Sequence, residues 1–212
     1  MNNADIHILA EDIRHRLALP LPGKKAQMKM MAQPGDNTRF SQEERPGAQK
    51  SGVLVLLYPH EGEIYLPLII RPEDCGPHSG QVAFPGGRME KEDVGIIDTA
   101  VRETWEEIGV AKEEIIPLGR LTNLYIPVSN YIVSPVLGYT HTRPFFKPDE
   151  REVAGVIEVP LSRLNNPDCR KKRKINVSGF LIDAPYFEVD DQMVWGATAM
   201  MLSEFLEILN EK

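Results

Sequence analysis

The sequence predicts an α+β fold, with a mixed β-sheet held between helices on both faces. Three observations predict it. Apolar runs of strand length recur along the chain, among them Val53–Tyr58, Ile64–Ile70 and Tyr131–Tyr139. Helix-period stripes bracket those runs, one at Ile6, Leu9, Ala10, Ile13 and Leu17 and one at Met201, Leu202, Phe205 and Leu209. A third helix interrupts the strands, with Ile97, Ala100, Val101, Thr104 and Ile108 at helical spacing and Gly109 where a C-terminal cap belongs.

Taken in order, the N-terminal helix ends at Pro20 and Pro22, because proline supplies no backbone donor. A polar connector spans Gly23–Gly52, with turns at Pro34-Gly35 and Pro46-Gly47. Its Met28, Met30 and Met31 read as packing residues for the core or an oligomer partner. Val53–Tyr58 and Ile64–Ile70 form a hairpin around Pro59–Gly62. The loop Arg71–Gly80 leads to a short strand at Gln81–Phe84 and then to the central helix. Further strands are expected at Ile115–Leu124, Tyr131–Tyr139, Glu152–Val159, Gly179–Ile182, Tyr186–Val189 and Met193–Trp195. Pro160–Leu164 reads as a helical turn, Asp190-Asp191 as a tight turn, and Ala197–Leu209 as the final helix. Trp195 is expected to fill the core and Thr198 to cap that helix.

Composition narrows the setting. A chain of 212 residues with 42% hydrophobic content can bury a core. No apolar run approaches membrane-spanning length, and the N-terminus lacks a signal-peptide pattern. The only two cysteines, Cys75 and Cys169, do not form a disulfide framework or zinc motif, so a reduced cytoplasmic setting is expected. A net charge of −7 argues against general nucleic-acid binding. It also opposes an anionic substrate unless a cation intervenes.

The chemistry is concentrated between Phe84 and Val110, FPGGRMEKEDVGIIDTAVRETWEEIGV. Glu103 and Glu107 lie four apart and Glu106 three from Glu103, so all three project from one side of the helix, clear of the expected apolar stripe. Like charges so spaced destabilise a helix by roughly 0.2–0.5 kcal/mol per pair. Clustered oxygen donors are what Mg²⁺ or Mn²⁺ requires. Upstream, Pro85-Gly86-Gly87 gives a turn where backbone approaches a ligand closely. Arg102, four residues before Glu106, is placed to hold a carboxylate of the set.

The order of these residues resembles the Nudix box, commonly written G-x5-E-x7-R-E-U-x-E-E-x-G-U with U apolar. Arg102, Glu103, Glu106, Glu107, Gly109 and Val110 match its second half, and Thr104 takes a position that is usually apolar. Counted from Gly87, the early acid falls on Asp93, with eight residues before Arg102 rather than seven, and Glu92 is the other candidate. The preceding segment, RPEDCGPHSGQVAFPGG, is similar to that of the coenzyme A pyrophosphatase branch through Arg71, His78, Gly80, Gln81, Val82 and Phe84–Gly87. Where that branch has a Leu-Arg pair, this chain has Cys75-Gly76.

The resemblance implies an α/β/α sandwich over about Lys50–Leu209, giving residues 1–49 as a helix and extended connector and 50–212 as the hydrolase domain. It implies hydrolysis of the pyrophosphate of coenzyme A or a derivative, a small-molecule substrate, with no membrane partner and a homodimer as the assembly. Glu103, Glu106, Glu107 and the Gly87 carbonyl would hold Mg²⁺ or Mn²⁺. Glu106, Glu107 or Glu152 would take a proton from water, with Arg102 orienting the set, while Arg71, His78 and Gln81 would contact substrate. Two other readings stay open: the same chemistry on ADP-ribose or a dinucleoside polyphosphate, and a nucleotide-binding module without turnover. The basic run Arg170–Lys174 reads as an exposed mobile loop, or as a contact for a phosphate such as the coenzyme A 3′-phosphate.

Overall fold

The computed structural model describes residues 3–34, 44–73, 78–177 and 179–210. The chain opens with α1 (Asn3–Leu17), α2 (Gly23–Gln27) and a short β1 (Gln33–Pro34). Strands β2 (Gln49–His60), β3 (Glu63–Ile70), β4 (Val82–Ala83) and β5 (Gly86–Arg88) lead into α3 (Ile96–Ile108). Then come β6 (Ile116–Arg120), β7 (Leu124–Ile126), β8 (Tyr131–Tyr139), β9 (Gly155–Pro160) and α4 (Leu161–Asn165). The last part holds β10 (Arg170–Val177), β11 (Phe180–Val189), β12 (Gln192–Trp195) and α5 (Gly196–Asn210).

Among the described residues, β2 to β9 form an eight-stranded sheet. It is mixed, as expected: β2 runs parallel to β8 from Gln49↔Tyr131 to Leu57↔Tyr139, while β3 pairs antiparallel with β2 and β9. The alternation along β2 shows how the sheet is covered. Leu54 and Leu56 join Ala100, Val101 and Ile108 of α3 on one face, while Val53, Val55 and Leu57 join Ile6, Ile13, Phe205 and Leu206 of α1 and α5 on the other. A strand whose successive side chains are all apolar is buried on both faces, and this one lies between helices on each side.

The N-terminal segment is fastened to α5. Gln27 is buried and donates from Nε2 to the fully buried Glu204 at 2.8 Å, and Ser203 donates to the Ala26 carbonyl at 2.8 Å. Met30 is buried in the core and Met31 packs against it, whereas Met28 is exposed.

The smaller sheet corrects several expectations. The two strands expected at Gly179–Ile182 and Tyr186–Val189 are one strand, β11, continuous through Pro185. Along one edge β1 pairs with Ile182 and Asp183 and β12 pairs with Tyr186–Val189, so among the described residues Ala184 and Pro185 are bordered only by β10. A proline is tolerated where the ladder has such a gap. The basic run is not a loop: Arg170–Lys174 begins β10, where Lys171 pairs with Glu188 and Arg170 lies over the Phe187 ring at 5.5 Å. Asp190 and Asp191 both take positive φ, 45° and 62°, and make the expected tight turn. The run Ile115–Leu124 is split into β6 and β7. Glu152 precedes β9 in a turn, where its N–H and that of Val153 both donate to the Asp149 carbonyl, at 3.0 and 2.9 Å.

Candidate active site

Helix α3 starts after Gly95 and ends at Gly109, whose φ of 74° and N–H bond to the Trp105 carbonyl at 2.9 Å make the expected cap. Its buried face is Thr99, Ala100, Val101, Thr104, Glu107 and Ile108. Ile97, expected in the stripe, is 36% exposed. Glu107, expected clear of the stripe, is buried within it. At 3.6 residues per turn, position 107 returns to the face of 100 and 104, and β5 covers that flank.

The glycine turn makes this burial tenable. The Gly86 N–H donates to Glu107 Oε2 at 2.8 Å. Gly86 has φ +153°, and a Cβ there would stand 2.4 Å from the Gly52 carbonyl oxygen. A Cβ on Gly87 would stand 2.5 Å from the Glu103 carboxyl, so the Glu103 head lies directly over that backbone. The sequence needs two glycines here because the helix carboxylates and the β5 backbone occupy nearly the same space.

Arg102 organises the rest. Its Nε and Nη2 donate to the two oxygens of Asp93 at 2.9 and 3.0 Å. Nη1 donates to Glu103 at 3.0 Å and to Glu106 at 2.8 Å, and Nη2 also reaches the Arg88 carbonyl at 3.0 Å. Asp93 accepts in addition from Thr99 Oγ1 at 2.8 Å and the Glu90 N–H at 2.9 Å. The Arg102 guanidinium, followed by these hydrogen bonds, holds Asp93 well below the usual carboxylate range. Glu92 is exposed, so Asp93 is the early acid that meets Arg102. Counting from Gly87 reaches Asp93, but nothing in the sequence pattern pairs it with Arg102 nine residues on.

Burial raises Glu103, with Arg102 opposing. Burial pushes Glu107 up to about 8, the Gly86 N–H and Arg71 opposing and the charges of Glu103 and Glu152 adding to it. Glu152 is exposed, in the turn that Asp149 begins, and Asp149 also donates its N–H to the Glu107 carbonyl at 3.0 Å. Among the described residues, no three carboxylate, histidine or cysteine side chains converge on one point. Arg102 stands between Glu103 and Glu106 instead. The donor chemistry still fits Mg²⁺ or Mn²⁺: Glu103 and Glu106 are turned by a single guanidinium beside a backbone cradle at Gly87, and Glu107 is held by the Gly86 N–H.

A cavity of about 520 Å³ opens against this turn, with Gly86, Gly87 and Arg88 on its wall. Arg71, His78 and Gln81 line it too. His78 Nδ1 stands 3.3 Å from Gln81 Oε1, and the loop is closed by the Arg71 N–H bond to the Gln81 carbonyl at 3.0 Å. Cys75-Gly76 lies outside the described residues. Among the described residues, the charged side chains lining the cavity are Arg71 and Arg88, with no carboxylate. Trp195, expected in the core, lines this cavity, and Thr198 donates to the Val82 carbonyl at 3.0 Å rather than capping α5.

A family model described as NUDIX domain matches residues 48–177. The chain belongs to the Nudix family. Relatives named uncharacterized Nudix hydrolase NudL include one from Pectobacterium atrosepticum, 34% identical over 165 residues, covering 74% of this chain and 80% of that protein. Another, from Yersinia pestis, is 35% identical over 156 residues, covering 66% and 74%. Among solved structures, the Nudix hydrolase RenU of M. Smegmatis superposes with a TM-score of 0.55 at 16% identity, over 84% of this chain and 92% of that one. A MutT/nudix family protein from Enterococcus faecalis gives 0.53 at 16% identity, over 81% and 66%. These two likenesses establish the Nudix fold. No helix of the described residues is long and apolar enough to cross a membrane.

Proposed function

We propose that this Nudix hydrolase cleaves the pyrophosphate bond of coenzyme A or its derivatives, giving adenosine 3′,5′-bisphosphate and 4′-phosphopantetheine or its acyl form. The observation that carries the reading is the cavity. In a chain of net charge −7, its charged lining among the described residues is two arginines, and it abuts the glycine turn beneath Glu103. Such a lining favours a polyanion, and the adjoining carboxylate helix suits phosphoryl chemistry.

Glu103, Glu106, Glu107 and the Gly87 carbonyl would hold Mg²⁺ or Mn²⁺, which when bound supplies the positive charge that offsets the phosphates. Arg71 and Arg88 bind and orient the pyrophosphate. Arg102 fixes Glu103 and Glu106, and is itself fixed by Asp93. The proton of the attacking water goes to a carboxylate of the set Glu106, Glu107 and Glu152. Water attacks phosphorus, the bridging P–O bond breaks, and the two phosphate products leave.

The test is product release with Mg²⁺ and Mn²⁺, followed by chromatography. Glu106→Gln should lower kcat by about 10²-fold or more while the protein stays folded. A natural protein that binds the nucleotide with metal but never cleaves it would favour the binding-module reading.

A further inference from the structure

Two histidines outside the carboxylate set meet on the sheet face opposite α3. His7 lies on α1 and His141 just beyond β8, and their ring centroids are 4.7 Å apart with the planes tilted by 37°. Both residues are exposed, but the backbone beneath each is fixed. Ile6, beside His7, and Ala10, on the next turn, are buried. Thr140, beside His141, is buried too; its N–H donates to the Leu57 carbonyl at 2.9 Å and its hydroxyl to the Thr142 carbonyl at 2.7 Å. Tyr139, part of the same core cluster as Ile6, stands edge-on to both imidazoles, its ring centroid 5.8 Å from His7 and 5.4 Å from His141.

This spacing fits a shared metal ion. Two imidazole nitrogens held about 2.0–2.1 Å from one Zn²⁺ leave their ring centres roughly 5 Å apart. Packing alone gives little reason for the pair, since two exposed polar rings bury little apolar area. A metal-bound histidine usually presents its second ring nitrogen to a polar partner. Tyr139 Oη, 3.5 Å from His7 Nδ1, stands in that position and leaves Nε2 for the ion. Glu11 follows His7 by four residues on the same side of α1, so a carboxylate flanks the pair. It bonds Arg14, an exposed partner that holds it weakly.

We propose that His7 and His141 form a Zn²⁺ site that clasps α1 to the end of β8, distinct from the carboxylate site. Imidazole suits Zn²⁺, whereas Mg²⁺ and Mn²⁺ suit oxygen donors, so the two sites sort their ions by ligand type. Water fills the remaining positions of the tetrahedral shell. Helix α1 precedes residues 48–177, the span that matches the family model, and His141 lies within it. The clasp therefore fastens the added N-terminal helix to the shared core.

The test titrates Zn²⁺ into the whole protein with Mg²⁺ saturating, followed by calorimetry and by thermal unfolding. The natural protein should take up one more equivalent of Zn²⁺ than either His7→Ala or His141→Ala. Its melting temperature should rise by roughly 5–10 °C once free Zn²⁺ exceeds the dissociation constant a hundredfold, and both variants should lose that rise. The two side chains are exposed, so neither substitution opens the core. Equal uptake by all three proteins, loss of the extra equivalent in only one variant, or uptake with no rise in melting temperature overturns the site.

Discussion

Replacing Asp93 by Asn probes the element on which the carboxylate set depends. The side chains of Asp93 and Arg102 are 3% and 13% exposed, and the pair is joined by two hydrogen bonds of 2.9 and 3.0 Å. Removing one partner of a buried ion pair costs about 3–5 kcal/mol, because the other charge stays buried. Asn retains one acceptor oxygen, and Arg102 keeps Glu103, Glu106 and the Arg88 carbonyl. The expected loss is therefore about 2–3 kcal/mol. Urea unfolding with chelator present, at pH 7, should show a lower midpoint and an unchanged slope.

The pH dependence has a definite sign. Arg102 holds Asp93 below the ordinary carboxylate value in the folded protein. The pair's contribution is thus complete above the unfolded value of about 3.9 and declines as pH falls towards the folded one. The gap between natural protein and variant should narrow below about pH 4. Activity should fall about 10–100-fold, as for other groups that orient ligands from behind. A stability difference under about 0.5 kcal/mol at pH 7, or a gap that widens in acid, would refute the reasoning.

Two glycine substitutions separate packing from chemistry. Gly87→Ala places a Cβ 2.5 Å from the Glu103 carboxyl, so Glu103 must move; activity should drop about tenfold or more while the melting temperature shifts by only a few degrees. Gly52→Ala places a Cβ 2.6 Å from the Ile96 carbonyl oxygen and 3.1 Å from the Ala100 N, between β2 and α3. Backbone cannot yield there as a side chain can, so a stability loss of about 1–3 kcal/mol is expected in thermal unfolding.

What the sequence revealed, and what it concealed, follows from the range of each signal. The sheet class, the helix cap at Gly109 and the turn at Asp190-Asp191 depend on neighbouring residues and were legible. So was the Arg102–Glu106 bond, set by one helical turn. The burial of Glu107 was not, because a charged side chain reads as exposed until a covering strand is known, and β5 is only three residues long. The continuity of β11 was concealed by Pro185, whose tolerance depends on where two other strands stop and start. The cavity wall was least legible. Met31, Val177, Ile182 and Met201 come together from four elements or connectors that carry no common motif, whereas Arg71, His78 and Gln81 shared one stretch and were singled out together.

Substrate preference is decided most directly by comparing turnover across a small panel. Coenzyme A, acetyl-coenzyme A, ADP-ribose, NADH and diadenosine tetraphosphate are offered separately with Mg²⁺ and with Mn²⁺, and products are resolved by chromatography. Metal-dependent release of adenosine 3′,5′-bisphosphate is expected, with coenzyme A forms ahead of the rest in kcat/KM. A clear preference for ADP-ribose or another nucleotide, or no turnover of any member by folded protein with metal bound, would contradict it.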